Sequence, residues 1–375
     1  MSFDLQAAAL EAAIARHKAG DLAAAEAGYR ALIAASESCL ALCNLGLILK
    51  ERGEADAAEA LLVRAVAADP KNAFAAFNLG TYYWRDGRSA EAIPLLELAG
   101  RSPELGVGRG NLGAAYLSLG QMSKGWPLYD ERAERVNSPA RGLPFPEWRG
   151  EPLAGKSLFV WLEQGFGDQI LAARFVRDLK AERITLTCAP ELARLFEGLD
   201  PRVTVMTGQI RVEPHDYWTM ALSLARWFEH IPTAPYLRGR AAKATGGVGI
   251  AWRANPDPDP GRGLPEALAQ DLLSLPGAVS LAPEDSGAKD FQDTADLIAG
   301  LDRVISVDTS AAHVAGAMGK PTQVLLKAQS ADWRWREAAP GVCAWYPTAR
   351  IARQPARGDW QGLVDHLRAA WPEAI

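Results

Sequence analysis

Histidine and cysteine are scarce in this chain: five and four among 375 residues. Cys39 and Cys43 lie four apart in a helical pattern, and Cys188 and Cys343 stand alone. With no Cys-x-x-Cys and no Cys/His cluster, the common zinc modules and a disulfide framework are excluded. The four thiols read as core residues in a reducing compartment. Basic excess is missing too: 40 Lys and Arg face 45 Asp and Glu, a net charge of −5. General affinity for nucleic acid is therefore not expected. No apolar run approaches the roughly 18 residues of a membrane span. The N-terminus lacks the basic start and apolar block of a secretory signal. The expectation is a cytoplasmic protein that neither enters a membrane nor binds nucleic acid. A hydrophobic share of 49% excludes a disordered chain.

Tryptophan is nearly absent from the first third. Of twelve, only Trp84 precedes residue 120. That stretch repeats itself instead. Asn-Leu-Gly recurs at 44–46, 78–80 and 111–113, and a second glycine follows each by seven residues, at Gly53, Gly87 and Gly120. Gly20 extends the series backwards. Ala25, Ala58 and Ala92 trail their glycines by five residues, and Tyr29, Leu62 and Leu96 by nine. A period of about 34 with small residues at helix crossings is the tetratricopeptide pattern. Three full units and a partial fourth with an irregular second helix are expected over 1–137. Asn44, Asn78 and Asn111 hold one place in successive first helices, a ladder of amides able both to donate and to accept. It resembles the asparagine ladder of O-GlcNAc transferase, which holds extended polypeptide. The alternative is that each amide bonds structurally to its neighbouring repeat.

Residues 138–156 are rich in proline and glycine and read as a linker, with Phe145 and Trp148 packed on a domain. From 157 onward strand and helix alternate, which implies parallel sheets with right-handed crossovers. Two such series, 157–240 and 246–357, predict two Rossmann-like halves with a cleft between them, and 358–375 a closing helix. Ligands of such sheets bind at the C-terminal ends of strands, near helix starts. Two loops qualify. In one, a strand ends at Asp308, Thr309 and Ser310 open a helix, and His313 shares their face one turn in. That suits phosphate oxygens, bound by a protonated or donor imidazole; the plainer alternative is an N-cap pair with a core histidine. In the other, Gly165 and Gly167 allow close backbone approach. Asp168 there starts a helix as a cap or faces the cleft as a general base. Asp257 and Asp259 mimic a metal-binding Asp-x-Asp but lack its strand context, so no metal is expected.

The segments EQGFGDQI, IAWRANP, DTSAAHVAGAMGKP, ADWRW and WYPTARIARQPARGDW together resemble the bacterial glycosyltransferases that include the heptosyltransferases. The branch fused behind tetratricopeptide repeats is the nearest. The resemblance spans about 145–360. It implies an α plus α/β chain: a helical solenoid, then a metal-independent GT-B glycosyltransferase without cofactor. The 157–240 half would face the acceptor and the 246–357 half a nucleotide sugar. Asp168 would be the catalytic base of inverting transfer. Thr309, Ser310 and His313 would hold the donor phosphates, with Asp308 bracing their loop. Trp252, Arg253, Asn255 and Lys327, with Gln164, Gly165 and Gly167, would complete the donor site. The repeats would recruit a polypeptide, flagellin in the soluble branch. The chain lacks the histidine expected after Asn255-Pro256 and the glutamine expected after Ser280-Leu281. A transferase for lipid or polysaccharide acceptors, and an adaptor that has lost activity, are the alternatives.

Overall fold

The computed structural model describes residues 3–208, 211–240, 244–256, 261–329 and 332–371; Asp257 and Asp259 lie outside them. The chain divides into two compact units, Met1–Arg132 and Ala133–Ile375. The cut falls between Arg132 and Ala133, so the proline-rich stretch from 138 belongs to the second unit.

The first unit is helical. Its helices are α1 Phe3–Lys18, α2 Leu22–Ala35, α3 Cys39–Glu51 and α4 Ala55–Ala68, then α5 Ala73–Arg85, α6 Ser89–Ala99, α7 Val107–Ser118 and α8 Met122–Tyr129. They pair as four hairpins, each stacked on the next. The hairpin turns need a left-handed residue, and Gly20, Gly53, Gly87 and Gly120 supply it at φ between +74° and +86°. Asp21, Ser38 and Asn72 cap the following helices by accepting backbone N–H groups. Ala25, Ala58 and Ala92 and the residues four further on, Tyr29, Leu62 and Leu96, are fully buried. The fourth hairpin differs for a steric reason. Gly125 replaces the repeat's alanine, and a methyl on Gly113 would come within 2.4 Å of the Tyr129 backbone nitrogen. Here the two backbones touch.

The second unit opens with α9 Ala133–Val136, followed by a four-stranded parallel sheet. Its strands are β1 Ser157–Trp161, β2 Arg183–Thr187, β3 Val203–Met206 and β4 Tyr217–Met220, in the order β3-β2-β1-β4. Helices α10 Phe166–Ala173 and α11 Ala193–Phe196 belong to this half. Sequence pattern gave no signal for β4. Residues 146–148 bond along it: Trp148 N–H donates to the Trp218 carbonyl at 2.7 Å, and Trp218 N–H to the Pro146 carbonyl at 2.9 Å. Phe145 packs on Phe159 and His215, and Trp148 on Trp227.

The second half carries β5 Val248–Ala251, α12 Glu266–Leu273, β6 Ala278–Ser280, α13 Pro283–Ser286, α14 Phe291–Gly300 and β7 Arg303–Val307. Then come α15 Ser310–Ala317, β8 Thr322–Leu326, β9 Glu337–Ala339, β10 Val342–Cys343, β11 Ala349–Arg353 and α16 Trp360–Ala369. The sheet order is β6-β5-β7-β8-β11-β10-β9. The first five strands run parallel, as the alternation requires; β10 and β9 do not. Pro340 and Gly341, at φ +72°, leave only a two-residue turn between β9 and β10, and so short a link joins antiparallel strands. The observed architecture is thus a helical-repeat unit followed by two Rossmann-like halves.

Candidate active site

The glycine loop after β1 and the loop after β7 meet across the two halves. Each ends in a helix start, α10 and α15. Gly167 lies directly against His313: a methyl at Gly167 would stand 2.6 Å from the imidazole Cδ2 and 3.0 Å from Nε2. Gly167 therefore has a packing role beside the ligand approach expected of it. Gly167 is small because a histidine from the other half fills its space. A methyl on Gly165 would meet only the Asp168 Oδ2, at an ordinary 3.6 Å. Gly167→Ala is therefore expected to destabilise the second unit by about 1–3 kcal/mol through overpacking. Gly165→Ala should stay near wild type. Denaturant melts of the two variants decide this; equal costs would refute the contact.

Gln164, just before the loop, has φ +62°, the only positive value outside glycine among the described residues. An L side chain there costs about 1–2 kcal/mol. The loop holds it in place through its side chain, whose Oε1 accepts from Arg334 Nη2 at 2.9 Å. Asp168 lies in the first turn of α10. Its Oδ2 accepts the Gly165 N–H at 3.2 Å, so the capping role is real. Its other oxygen carries a second task, accepting the Arg334 guanidinium. Both side chains are only 16% exposed. Burial pushes the Asp168 carboxyl above its usual range, and the neighbouring Arg334 opposes that without cancelling it.

Arg334 also holds Asp332, at 3.0 Å. Burial acts to raise the Asp332 carboxyl, but Arg334 outweighs it and holds it below the usual range. Next in sequence, Trp335 donates its indole N–H to Asp308 Oδ1 at 2.7 Å. Its ring lies over the His313 imidazole with centroids 4.5 Å apart. The bracing expected of Asp308 thus comes from a tryptophan, with Arg262 adding charge at 3.6 Å. Burial, then the Asp332 charge, push Asp308 up to about 6.

His313 is buried, and its Nδ1 lies 3.0 Å from the Tyr346 hydroxyl. Burial, then the Arg334 charge, drive the imidazole down to about 3. At that value the imidazole of the ligand-free chain is neutral at pH 7, which favours the donor option. Thr309 takes the N-cap position of α15 but makes no side-chain capping bond. The N-cap alternative is thereby weakened, and Thr309 and Ser310 stand half-buried at the helix start.

Other expected donor-site residues are placed differently. Trp252 is buried in the core with residues of β5, β7 and α16, and its indole N–H has no partner among the described residues. Arg253 stacks on Trp252 and pairs with Glu284. The Asn255 carbonyl accepts from Arg262 at 3.1 Å, which places that loop near Asp308. Lys327 follows β8 and is half-buried. In the repeat unit, Asn44 and Asn78 donate to their own helices, at the Leu40 and Phe74 carbonyls, each at 2.8 Å. Asn111 instead reaches the neighbouring repeat at Thr81 Oγ1, 3.1 Å away. Arg334, Trp335 and Tyr346 were visible only as letters of signature segments, with no role attached.

No protein-family model matches the chain. Among curated proteins it is 25% identical, over 353 residues, to Protein FlbA of Caulobacter vibrioides, covering 76% of this chain. The chain spans 59% of that relative's length. Among solved structures it is similar to a mutant of Thermobaculum terrenum O-GlcNAc transferase, with TM-score 0.36 and 17% identity over 88% of this chain and 85% of that one. It is also similar to MamA, with TM-score 0.31 and 22% identity over 36% of this chain and 81% of that one. No helix among the described residues is long and apolar enough to cross a membrane.

Proposed function

We propose that the chain is a metal-independent glycosyltransferase that moves a sugar from a nucleotide donor to Ser or Thr hydroxyls of a polypeptide. The observation that carries this is the meeting of two helix starts across the halves: α15, whose Thr309 hydroxyl makes no capping bond, beside α10, with the largely buried carboxylate of Asp168. One supplies N–H groups and a dipole for anionic phosphate oxygens. The other supplies a base of raised basicity.

In the proposed reaction Asp168 takes the proton of the acceptor hydroxyl as its oxygen attacks the anomeric carbon. The bond from that carbon to the donor phosphate breaks, and its electron pair leaves on the nucleotide. The α15 amides, Thr309, Ser310 and the His313 N–H stabilise the growing charge. The repeats recruit the acceptor, for which flagellin is our candidate on the resemblance of the sequence. With its amide nitrogen bonded to its own helix, the half-buried Asn44 offers its side-chain oxygen to peptide N–H groups, whereas Asn78, bonded likewise, is buried.

The test is a melting panel with ADP, UDP, GDP, CMP and their sugars, on wild type and a Thr309→Ala/Ser310→Ala variant. At 100 times the dissociation constant, a bound nucleotide adds about 2.7 kcal/mol. A shift with one base, reduced in the variant, is expected. No shift with any nucleotide at millimolar concentration would refute a donor site.

A further inference from the structure

Arg174, at the C-terminal end of α10, is 2% exposed, yet no carboxylate pairs with it among the described residues. Three backbone carbonyls solvate it instead: Leu171 at 2.9 Å, Trp345 at 2.7 Å and Pro232 at 3.1 Å. The remaining faces are aromatic. Its guanidinium carbon lies 4.5 Å from the Tyr346 ring centroid, 5.1 Å from Trp345 and 5.3 Å from Tyr236. So buried a cation orients every nearby dipole. Two of those dipoles are tyrosine hydroxyls. Tyr236 donates its proton to the Ile170 carbonyl at 2.8 Å. Tyr346 lies 3.0 Å from His313 Nδ1.

A single hydrogen occupies the Tyr346–His313 bond, and its owner decides the imidazole. If Nδ1 carries it, Nε2 is a bare acceptor and the Tyr346 proton must find another oxygen. The rival acceptor is the Tyr236 hydroxyl. Two effects disfavour that. A phenol oxygen is a far weaker acceptor than an imidazole nitrogen, whose conjugate acid has a pKa near 6.5. Turning the Tyr346 O–H toward Tyr236 also turns its positive end toward the aromatic cage that holds the Arg174 cation. With the hydrogen on Tyr346 and directed at Nδ1, the O–H is not turned toward Tyr236, a wall of that cage.

We propose that Tyr346, oriented by Arg174, donates to His313 Nδ1 and thereby fixes the imidazole as its neutral Nε2–H form. Nε2 is the edge beside Gly167, at the start of α10. The ring then presents an N–H donor where the two loops meet, without carrying a charge. Tyr346 and Arg174 are positioning residues in this scheme. Its purpose rests on the donor-site reading, but the tautomer itself does not.

The test is imidazole ¹⁵N NMR on the full chain without nucleotide, with His313 assigned by its loss in His313→Gln. The expected result is one neutral form, protonated at Nε2 and bare at Nδ1, unchanged from pH 7.5 to pH 5. A proton on Nδ1, or an imidazolium in that range, overturns the proposal. In Tyr346→Phe the proton should divide between both nitrogens; an unchanged Nε2–H spectrum removes Tyr346 from the scheme. Should that variant fail to fold, 3-fluorotyrosine replacement in the otherwise native chain gives the same answer. A more acidic phenol must shift the Nδ1 resonance while Nε2 keeps its proton, and an unmoved Nδ1 signal overturns the proposal. Failure of the nucleotide panel leaves these outcomes untouched, so the two readings fail separately.

Discussion

Asp168→Asn is expected to slow sugar transfer by about 100- to 10,000-fold, the range for losing a positioned base, while nucleotide affinity holds. Asparagine is the informative replacement because it keeps the helix start. Its amide oxygen still accepts the Gly165 N–H, which Asp168 Oδ2 now receives at 3.2 Å. Alanine would remove that cap as well, at a further cost of about 1 kcal/mol. What asparagine lacks is the ability to take a proton. Steady-state kcat/KM with a peptide acceptor, beside a nucleotide binding isotherm, separates the two effects. Full transfer by the Asn variant would sink the assignment of Asp168 as base.

The pH dependence carries a sign that can be worked out. A base must be ionised to act, so transfer falls as acid protonates Asp168. Burial places that protonation above the usual 3.8, and Arg334 limits the rise. The acid limb of the wild-type rate profile should therefore lie above the ordinary carboxylate range. Residual transfer in the Asn variant should lack that limb. His313 contributes no limb near neutrality, since its imidazole stays neutral down to about 3.

Local features of this molecule were legible in sequence, and contacts between distant segments were not. The repeat period was readable because each hairpin needs its own left-handed glycine, and the chain prints one at Gly20, Gly53, Gly87 and Gly120. The alternation of strand and helix gave two Rossmann-like halves for the same reason: each unit of pattern is local. The strand β4 is not legible because Tyr217–Met220 is a short run that passes straight into the helical turns of Ala221–Trp227, with no turn residue to mark its end. The antiparallel β9–β10 ribbon was missed because Pro340 and Gly341 read as a loop. At the site, helical spacing put His313 on the face of Thr309 and Ser310. Nothing local tells that Tyr346, 33 residues away, would meet its Nδ1. Gly167 is legible as a small residue, but nothing local tells that the histidine of the other half lies against it.

Arg334 is the extreme case of that limit, and its replacement has the largest expected effect on stability. The residue lies 166 positions from Asp168, within a Trp-Arg-Trp turn. Arg334→Met is expected to destabilise the second unit at pH 7.5 by about 3–5 kcal/mol, the usual cost of leaving a buried charge without its partner. Two carboxylates lose their cation together. The sign with pH follows from their shifts. Arg334 holds Asp332 below its usual range, so in wild type that pair stabilises above a pH of about 4 and is lost as acid is added. Asp168 is already raised, and without Arg334 it rises further, so the variant's native state takes up protons at higher pH. A protonated carboxyl needs no counter-charge. The gap between wild type and variant should therefore be widest near pH 7.5 and narrow toward pH 4.5. Tryptophan fluorescence follows the right unit, since ten of the twelve tryptophans lie in Ala133–Ile375. Arg334→Lys should recover only part of the loss, because an ammonium cannot span Asp168, Asp332 and Gln164 as the guanidinium fork does. The competing account is packing, as the guanidinium carbon also lies 4.4 Å from the Trp333 ring centroid. Packing does not titrate, so an equal gap at both pH values would assign Arg334 to the core and leave Asp168 without a tuned partner.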